Sequence, residues 1–374
     1  MPGRRANNEG SIYKRRDGRW AASVTLDGGR RKTFYARTRE EVGRRLAKAL
    51  HEREQGQPLV PEKESVSSYL ARWLEDGARA TIRGSTFENY ERMIRRHIVP
   101  QIGHLRLARL APHDLSRLYR RMLDRGLSPR TAQLAHAILH RALRQAVRWR
   151  LVAVNVCDMV DAPRPQRREF RTLNTEEAIR LLTVAEADPF HALYVLALTC
   201  GMRQAELLGL RWADLDLPGA VLAVRQQAIR INGGWEFTPP KTDKGRRTIA
   251  LPVLAVRALR QHKMRQAQER LALGPAWEDN DLVFPNQVGR PIERQNLIRR
   301  SFHPVLNKAG LGRLRFHDLR HSAATLMLAQ GIHPRVVQER LGHSTISVTM
   351  DVYSHVMPTL QKEAARAMDK AFGR

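Results

Sequence analysis

The chain has 374 residues, 65 Lys plus Arg against 37 Asp plus Glu, and a formal net charge of +28. At about 100–200 residues per domain that length predicts two or three domains, and a chain that is 42% hydrophobic is not disordered throughout. No apolar run nears the ~18 residues of a membrane span, no apolar leader follows Met1, and Cys157 and Cys200 are too few for a disulfide framework or a cysteine-rich zinc site.

A reducing cytoplasm is therefore the expected setting. The basic excess runs through all parts of the chain, which points to a polyanionic partner, nucleic acid first.

Residues 1–58 read as three strands and a helix. Asp17-Gly18 turns one hairpin, and Asp27-Gly28-Gly29 leads into Arg31–Tyr35. Thr38 with Glu41 forms a capping box for a helix reaching about Glu54. Trp20 is expected to pack on that helix. Arg15, Arg16, Arg19 and Arg31, interleaved with Tyr13 and Tyr35, are the candidate DNA contacts.

Residues 62–162 are helical by periodicity. Tyr69, Leu70, Trp73 and Leu74 follow one helical face. Ser85 with Glu88 predicts a capped start, Pro112 opens a further helix, and Ser128-Pro129 is an N-cap and N1 pair for a long one. The stretch from Asp161 to Phe170 reads as a basic linker stiffened by proline.

Residues 171–374 are mixed and mostly helical. Asn174 with Glu177 caps a helix, and His191–Thr199 is apolar on nearly every side, as a buried helix is. Strands are predicted at Val221–Arg225, Ala228–Ile231, Trp235–Pro239 and Arg246–Leu251. Helices fill the remainder. The whole is multidomain and mainly α with small β elements.

This last segment holds Gly201-Met-Arg203-Gln-Ala-Glu206, then Pro240-Lys241-Thr242 in a turn, then His317-Asp-Leu-Arg320-His. Leu341-Gly-His343-Ser and Asp351-Val-Tyr353 follow. A lone His-x-x-Arg is a weak signal in a chain with 14 histidines. The order Arg, Lys, His-x-x-Arg, His, Tyr, with His343 ten residues before Tyr353, strongly resembles the active-site signature of the tyrosine recombinases. The likeness is to the phage-type integrases that carry an added N-terminal arm-binding domain, and it covers nearly the whole chain.

The resemblance implies an arm-type DNA-binding domain at 1–58, a helical, SAM-like core-binding domain at 62–162, and a catalytic domain with a tail helix at 171–374. It implies Tyr353 as nucleophile and Arg203 and Arg320 as clamps on the phosphate oxygens. His317 is the implied general base, Lys241 the general acid for the 5′ oxygen, and His343 a donor to the phosphate. Glu206, one turn after Arg203, would orient a neighbouring cation. Lys244, Arg246 and Arg247, read as a hairpin face beside Lys241, are further candidate DNA contacts.

A phenol with a pKa near ~10 needs nearby cations in order to attack. A 3′-phosphotyrosyl link would conserve the bond energy, so no ATP, metal or other cofactor is expected, and no HExxH or Walker lysine is present. The implied partners are double-stranded DNA attachment sites, a homotetramer on DNA, a DNA-bending host factor and an excisionase. The implied setting is the bacterial cytoplasm, at the nucleoid and away from membranes.

Two alternatives compete. Ile332–Ser347 has helix-turn-helix spacing, as in a non-catalytic regulator. A type IB-like topoisomerase would use the same tyrosine chemistry. Finally, Met357, Leu360, Ala364, Met368, Ala371 and Phe372 predict an amphipathic tail helix that docks either on its own domain or on a neighbouring protomer.

Overall fold

A computed structural model describes residues 11–25, 31–54, 64–165, 171–231, 233–240, 242–346, 350, 365–366, 368–369 and 371–373. The chain divides into two compact units, Met1–Arg167 and Arg168–Arg374.

The first unit begins with β1 (Ser11–Lys14), β2 (Trp20–Thr25) and β3 (Arg31–Ala36), an antiparallel meander. The first turn is longer than a two-residue one. Arg15 N–H donates to the Arg19 carbonyl at 2.9 Å, and Gly18 sits at φ +81°. That is a three-residue loop whose last residue needs the left-handed region, which glycine adopts without a steric penalty. The Asp27-Gly28-Gly29 turn lies outside the described residues.

Helix α1 (Arg39–Glu54) follows, and Thr38 Oγ1 accepts the Glu41 N–H at 3.2 Å. Alternation along the strands sends Ile12, Trp20, Ala22, Val24 and Phe34 onto Val42, Leu46 and Ala49 of α1. Trp20 packs there as expected. Tyr13, Ala21 and Tyr35 stand in register on the other face, and both tyrosines are about half exposed.

The helical part of this unit comprises α2 (Val66–Arg72), α3 (Gly84–Met93), α4 (Val99–Ile102), α5 (Pro112–Asp124) and α6 (Pro129–Arg148). Trp73, Tyr69, Leu115, Leu118, Met122 and Ile138 are fully buried in one apolar cluster. Each such side chain stabilises by roughly 1.5–3 kcal/mol relative to exposure. Ser128 Oγ accepts the Thr131 N–H and opens α6 behind Pro129.

Ser85 does not cap α3. That helix starts two residues earlier than a Ser85 cap would place it, after an extended Arg83 with no side-chain cap, which leaves Ser85 inside the first turn. Of the linker, residues 161–165 are described without regular structure, and 166–170 lie outside the described residues.

The second unit is organised around α8 (His191–Thr199), whose residues Ala192 to Leu198 are all buried. Around it lie α7 (Thr175–Ala185), α9 (Gln204–Leu208), α10 (Val253–Leu273), α11 (Arg294–Leu297), α12 (His303–Lys308), α13 (Phe316–Ala329) and α14 (Pro334–Leu341). The Asn174–Glu177 capping box is formed in both directions.

The strands differ in arrangement from simple hairpins. β4 (Leu215–Asp216), β5 (Val221–Val224) and β8 (Arg247–Ala250) make one sheet, ordered β4-β5-β8. β6 (Gln227–Ile231) and β7 (Gly234–Thr238) form a separate two-stranded ribbon. The chain leaves the sheet after β5, makes the ribbon, and returns as β8. The segment around Lys241 is therefore the return path between two sheets, not the tip of one hairpin.

Among the described residues no helix is long and apolar enough to cross a membrane.

Candidate active site

Arg203 precedes α9 with an extended backbone, and Glu206 in the first turn folds back on it. Glu206 Oε2 accepts the Arg203 N–H at 3.0 Å, and Oε1 accepts Arg203 Nη1 at 2.6 Å. Arg203 Nη2 donates onward to the Gly342 carbonyl at 2.9 Å. Glu206 is 1% exposed and receives a second guanidinium, Arg247 Nη2 to Oε2 at 2.9 Å. Burial raises the carboxyl's pKa, but Arg247 and Arg203 pull harder in the other direction and leave it below the usual range. Glu206 is thus a carboxylate clamped between two arginines, and leaving it without both would cost several kcal/mol.

Arg320, on α13, is 3% exposed. Its Nη1 donates to the Gly201 carbonyl and its Nη2 to the Leu341 carbonyl, both at 2.7 Å. Two glycines make this approach feasible. Gly201 has φ +61°, and a Cβ there would stand 2.1 Å from Leu341 Cδ2. Gly342 has φ +68°, ends α14, and a Cβ there would stand 2.7 Å from the Lys244 carbonyl oxygen. Burial, then the charge of Arg203, presses the Arg320 pKa down from its ordinary value. Arginine remains charged in proteins, so this cluster sets Arg203, Arg247 and Arg320 against one carboxylate. That excess of positive charge suits an anionic guest.

His343 follows Gly342 and is buried. Its N–H donates to the Gln338 carbonyl at 3.1 Å, and the Gln338 side-chain amide donates to the His343 carbonyl at 3.2 Å. Burial, then Arg320 and Arg203, lowers its pKa to about 3. His317 lies one turn before Arg320, exposed at the surface, with its ring edge-on to His321 at 5.0 Å. Partial desolvation, then His321 and Arg320, lowers its pKa as well. Both imidazoles are neutral at pH 7, the form that can accept a proton.

The basic cluster after Lys241 splits three ways. Lys244 Nζ donates to the Ser344 carbonyl at 3.1 Å, and Arg246 is exposed. Arg247 is a correction to the sequence reading: its side chain is 6% exposed and turned inward onto Glu206, so it does not present a solvent face to DNA. Strand alternation carried the signal, because Arg247 shares the inward face of β8 with buried Ile249.

Gln338 and Arg340 were not legible as site residues. Arg340 Nη2 donates to the Ala250 carbonyl at 2.9 Å and ties α14 to the end of β8. Lys241 and Tyr353 lie outside the described residues, as does most of the tail. Of the tail's apolar positions, Met368 and Phe372 are exposed. The helix predicted from Pro334 is α14, and His333 Nδ1 caps it by accepting the Arg335 N–H.

In the N-terminal module Arg16 and Arg19 are exposed, and the Arg15 guanidinium lies 5.0 Å from the Tyr35 ring centre. Arg31 lies in β3, with its side chain outside the described residues.

The buried histidines predict how stability responds to acid. His262 Nδ1 accepts from Arg265 and its Nε2–H donates to the Val283 carbonyl at 2.6 Å, which fixes a neutral ring; burial lowers its pKa to about 4. With folded values of about 4 and about 3 against 6.5 unfolded, the unfolded chain binds protons first. Stability is therefore unaffected by these groups above pH 6.5 and falls as pH drops from there toward 4, by up to about 1.4 kcal/mol per pH unit for each ring. Urea unfolding at stepped pH checks the slope. Imidazole NMR signals of His262 and His343 that titrate near 6.5 in the native protein would refute it.

Buried Arg320 and partly exposed Arg203 are both tied to backbone carbonyls, with the His343 imidazole alongside, an arrangement whose positive charge suits an anion. The sequence profile described as "Phage integrase family" matches residues 171–359, and "Phage integrase, N-terminal SAM-like domain" matches 65–123. An integrase of Streptomyces ambofaciens is 32% identical, covering 100% of this chain and 99% of its own length. A XerC-like tyrosine recombinase of Caldanaerobacter subterraneus subsp. tengcongensis is 27% identical over 91% of this chain and 92% of its own.

Among solved structures, the Tn1549 transposon integrase in complex with a circular intermediate DNA superposes with a TM-score of 0.68 at 21% identity, covering 82% of this chain and all of that one. A lambda integrase tetramer bound to a Holliday junction gives 0.58 at 20% identity, covering 93% and 96%. These two establish the likeness of fold. The chain belongs to the phage integrase family. It is a site-specific tyrosine recombinase, an enzyme that cuts and rejoins DNA.

Proposed function

We propose that this recombinase integrates a phage or integrative element by a metal- and ATP-independent transesterification through a 3′-phosphotyrosyl intermediate and a Holliday junction. The observation that carries the reading is the meeting of Arg203, Arg320 and His343, far apart in sequence, in one positively charged cluster.

In this reading Tyr353 Oη attacks phosphorus and His317 takes the phenolic proton. Arg203, Arg320 and His343 hold the non-bridging oxygens as charge builds on them. The P–O5′ bond breaks, and Lys241 protonates the departing oxygen. A free 5′-hydroxyl from the partner duplex then reverses the step. Four protomers acting in ordered pairs on two attachment sites supply the exchange, with a DNA-bending protein and an excisionase as accessory factors.

The test is covalent capture on a nicked core site, where loss of the short 5′ fragment traps the adduct. A denaturant-stable protein–DNA species joined through the 3′ phosphate is expected, and its absence at saturating protein would sink the reading. Inverted-repeat specificity would separate recombination from simple relaxation.

Residues 1–58 form the arm-type DNA-binding domain in this proposal, 62–162 the core-binding domain, and 171–374 the catalytic domain. The row of Tyr13 and Tyr35, with Arg15, Arg16 and Arg19 nearby, is the DNA face of the first. Removing residues 1–58 is expected to abolish binding at a distal arm site and spare the core site in mobility shifts. A truncated chain that binds both as before would refute the assignment.

A further inference from the structure

The Arg247 guanidinium touches four acceptors. Nε donates to the Arg340 carbonyl at 2.7 Å, and Nη1 to the Gly245 carbonyl at 3.0 Å and to Glu206 Oε1 at 3.3 Å. Nη2 donates to Glu206 Oε2 at 2.9 Å. These acceptors belong to three segments, each adjoining one group of the proposed site. Glu206 holds Arg203, Gly245 lies in the turn that follows Lys241, and Arg340 is in the last turn of α14, ahead of Gly342 and His343.

The three segments come from distant parts of the sequence, so their mutual register is set by whatever ties them together. We propose that Arg247 is the positioning residue of this active site, a buried cross-brace that sets the spacing between Arg203, the lysine-bearing turn and His343 without touching the DNA. The proposal rests on the catalytic roles assigned above.

The physical case is geometric. A guanidinium is planar and presents its donors in a fixed fork, so it specifies the directions of its partners as well as their charge. Lysine at this position would supply the charge to Glu206 but not the simultaneous reach to two carbonyls. Misplacement of a reacting group by about 1 Å costs on the order of 100-fold in rate. Loss of the brace should therefore appear in the cleavage step and not in DNA affinity.

The experiment compares Arg247→Lys and Arg247→Met with the full-length wild-type chain on two nicked core sites. One carries the ordinary phosphodiester and the other a methylphosphonate at the cleavage position. The neutral methylphosphonate makes little demand on aligned cations. On the diester, both variants should form adduct about 100-fold more slowly at saturating DNA, with core-site Kd unchanged. On the methylphosphonate the deficit should shrink at least about tenfold, because the charge to be met is gone.

Equal deficits on both substrates would mean a loss of folded enzyme, and would overturn the positioning role. Adduct formed at the wild-type rate on the diester would overturn it too. If Arg247→Met does not fold, Arg247→Lys carries the comparison, since it keeps a cation beside Glu206. A wild-type chain that forms no adduct on either substrate would defeat the functional reading itself, an outcome distinct from failure of the brace.

Discussion

Tyr353→Phe is expected to abolish covalent capture on the nicked core site while core-site affinity stays close to that of the wild type. The substitution removes one hydroxyl and no phosphate donor. The aromatic body of the residue is retained. No other tyrosine occurs in the sequence after Tyr194, and water attacking in place of Tyr353 would give a strand break with no protein attached. The measurement is denaturing electrophoresis of labelled DNA beside a mobility shift of the same samples. Adduct at even a few per cent of the wild-type yield would remove Tyr353 from the nucleophilic role.

Arg203→Ala carries the second large effect. Its side chain is 35% exposed, whereas Glu206, to which it is paired, is buried and keeps Arg247 as a second partner. The fold should therefore survive the change. What is lost is an aligned donor at the point where charge builds on the phosphate, worth ~2.7–4 kcal/mol, or about 10²–10³ in the rate of adduct formation.

Arg320→Ala should lose at least as much activity and also lower the melting temperature. The Gly201 and Leu341 carbonyls would be left in a buried space without their donor, at ~1–3 kcal/mol each. The comparison of the two variants separates chemistry from stability. Arg203→Ala with undiminished cleavage, or with a melting temperature as low as that of Arg320→Ala, would contradict this division.

Much of this was legible in the sequence because it follows local rules. The Thr38, Ser128 and Asn174 caps, the all-apolar helix at 191–199 and the three-stranded meander follow from side-chain periodicity and turn chemistry acting over a few residues. The motif residues Arg203, His317, Arg320 and His343 could be named from order and spacing, and the structure brings Arg203, Arg320 and His343 together.

What stayed hidden depends on contacts between distant segments. Strand exchange between the sheet and the ribbon, which places β8 beside β5, has no local signature. The inward turn of Arg247 was masked by its basic neighbours Lys244 and Arg246, since a run of cations reads as a surface until the strand's alternation is applied. Arg340 acts through backbone groups of segments remote in sequence, and Gln338 through the backbone of His343 five residues on, and composition carries no trace of either. Ser85 was misread because a hydroxyl followed by a glutamate three residues on satisfies the capping pattern, whereas the backbone entered the helix two residues sooner.

The acceptors that hold Arg203 and Arg320 include the main-chain oxygens of Gly201, Leu341 and Gly342. Every amino acid carries that same oxygen, so, apart from the grip of Glu206 on Arg203, the orientation of these guanidiniums is encoded in the path of the chain. Outside Glu206 and Arg247, residues around the cluster can be exchanged for others of similar volume without changing the donors' aim. The two glycines cannot, since a Cβ at either would force α14 or the Lys244 turn outward. In an enzyme built this way, two positions that carry no side chain constrain the site as firmly as the side chains of Glu206 and Arg247 do.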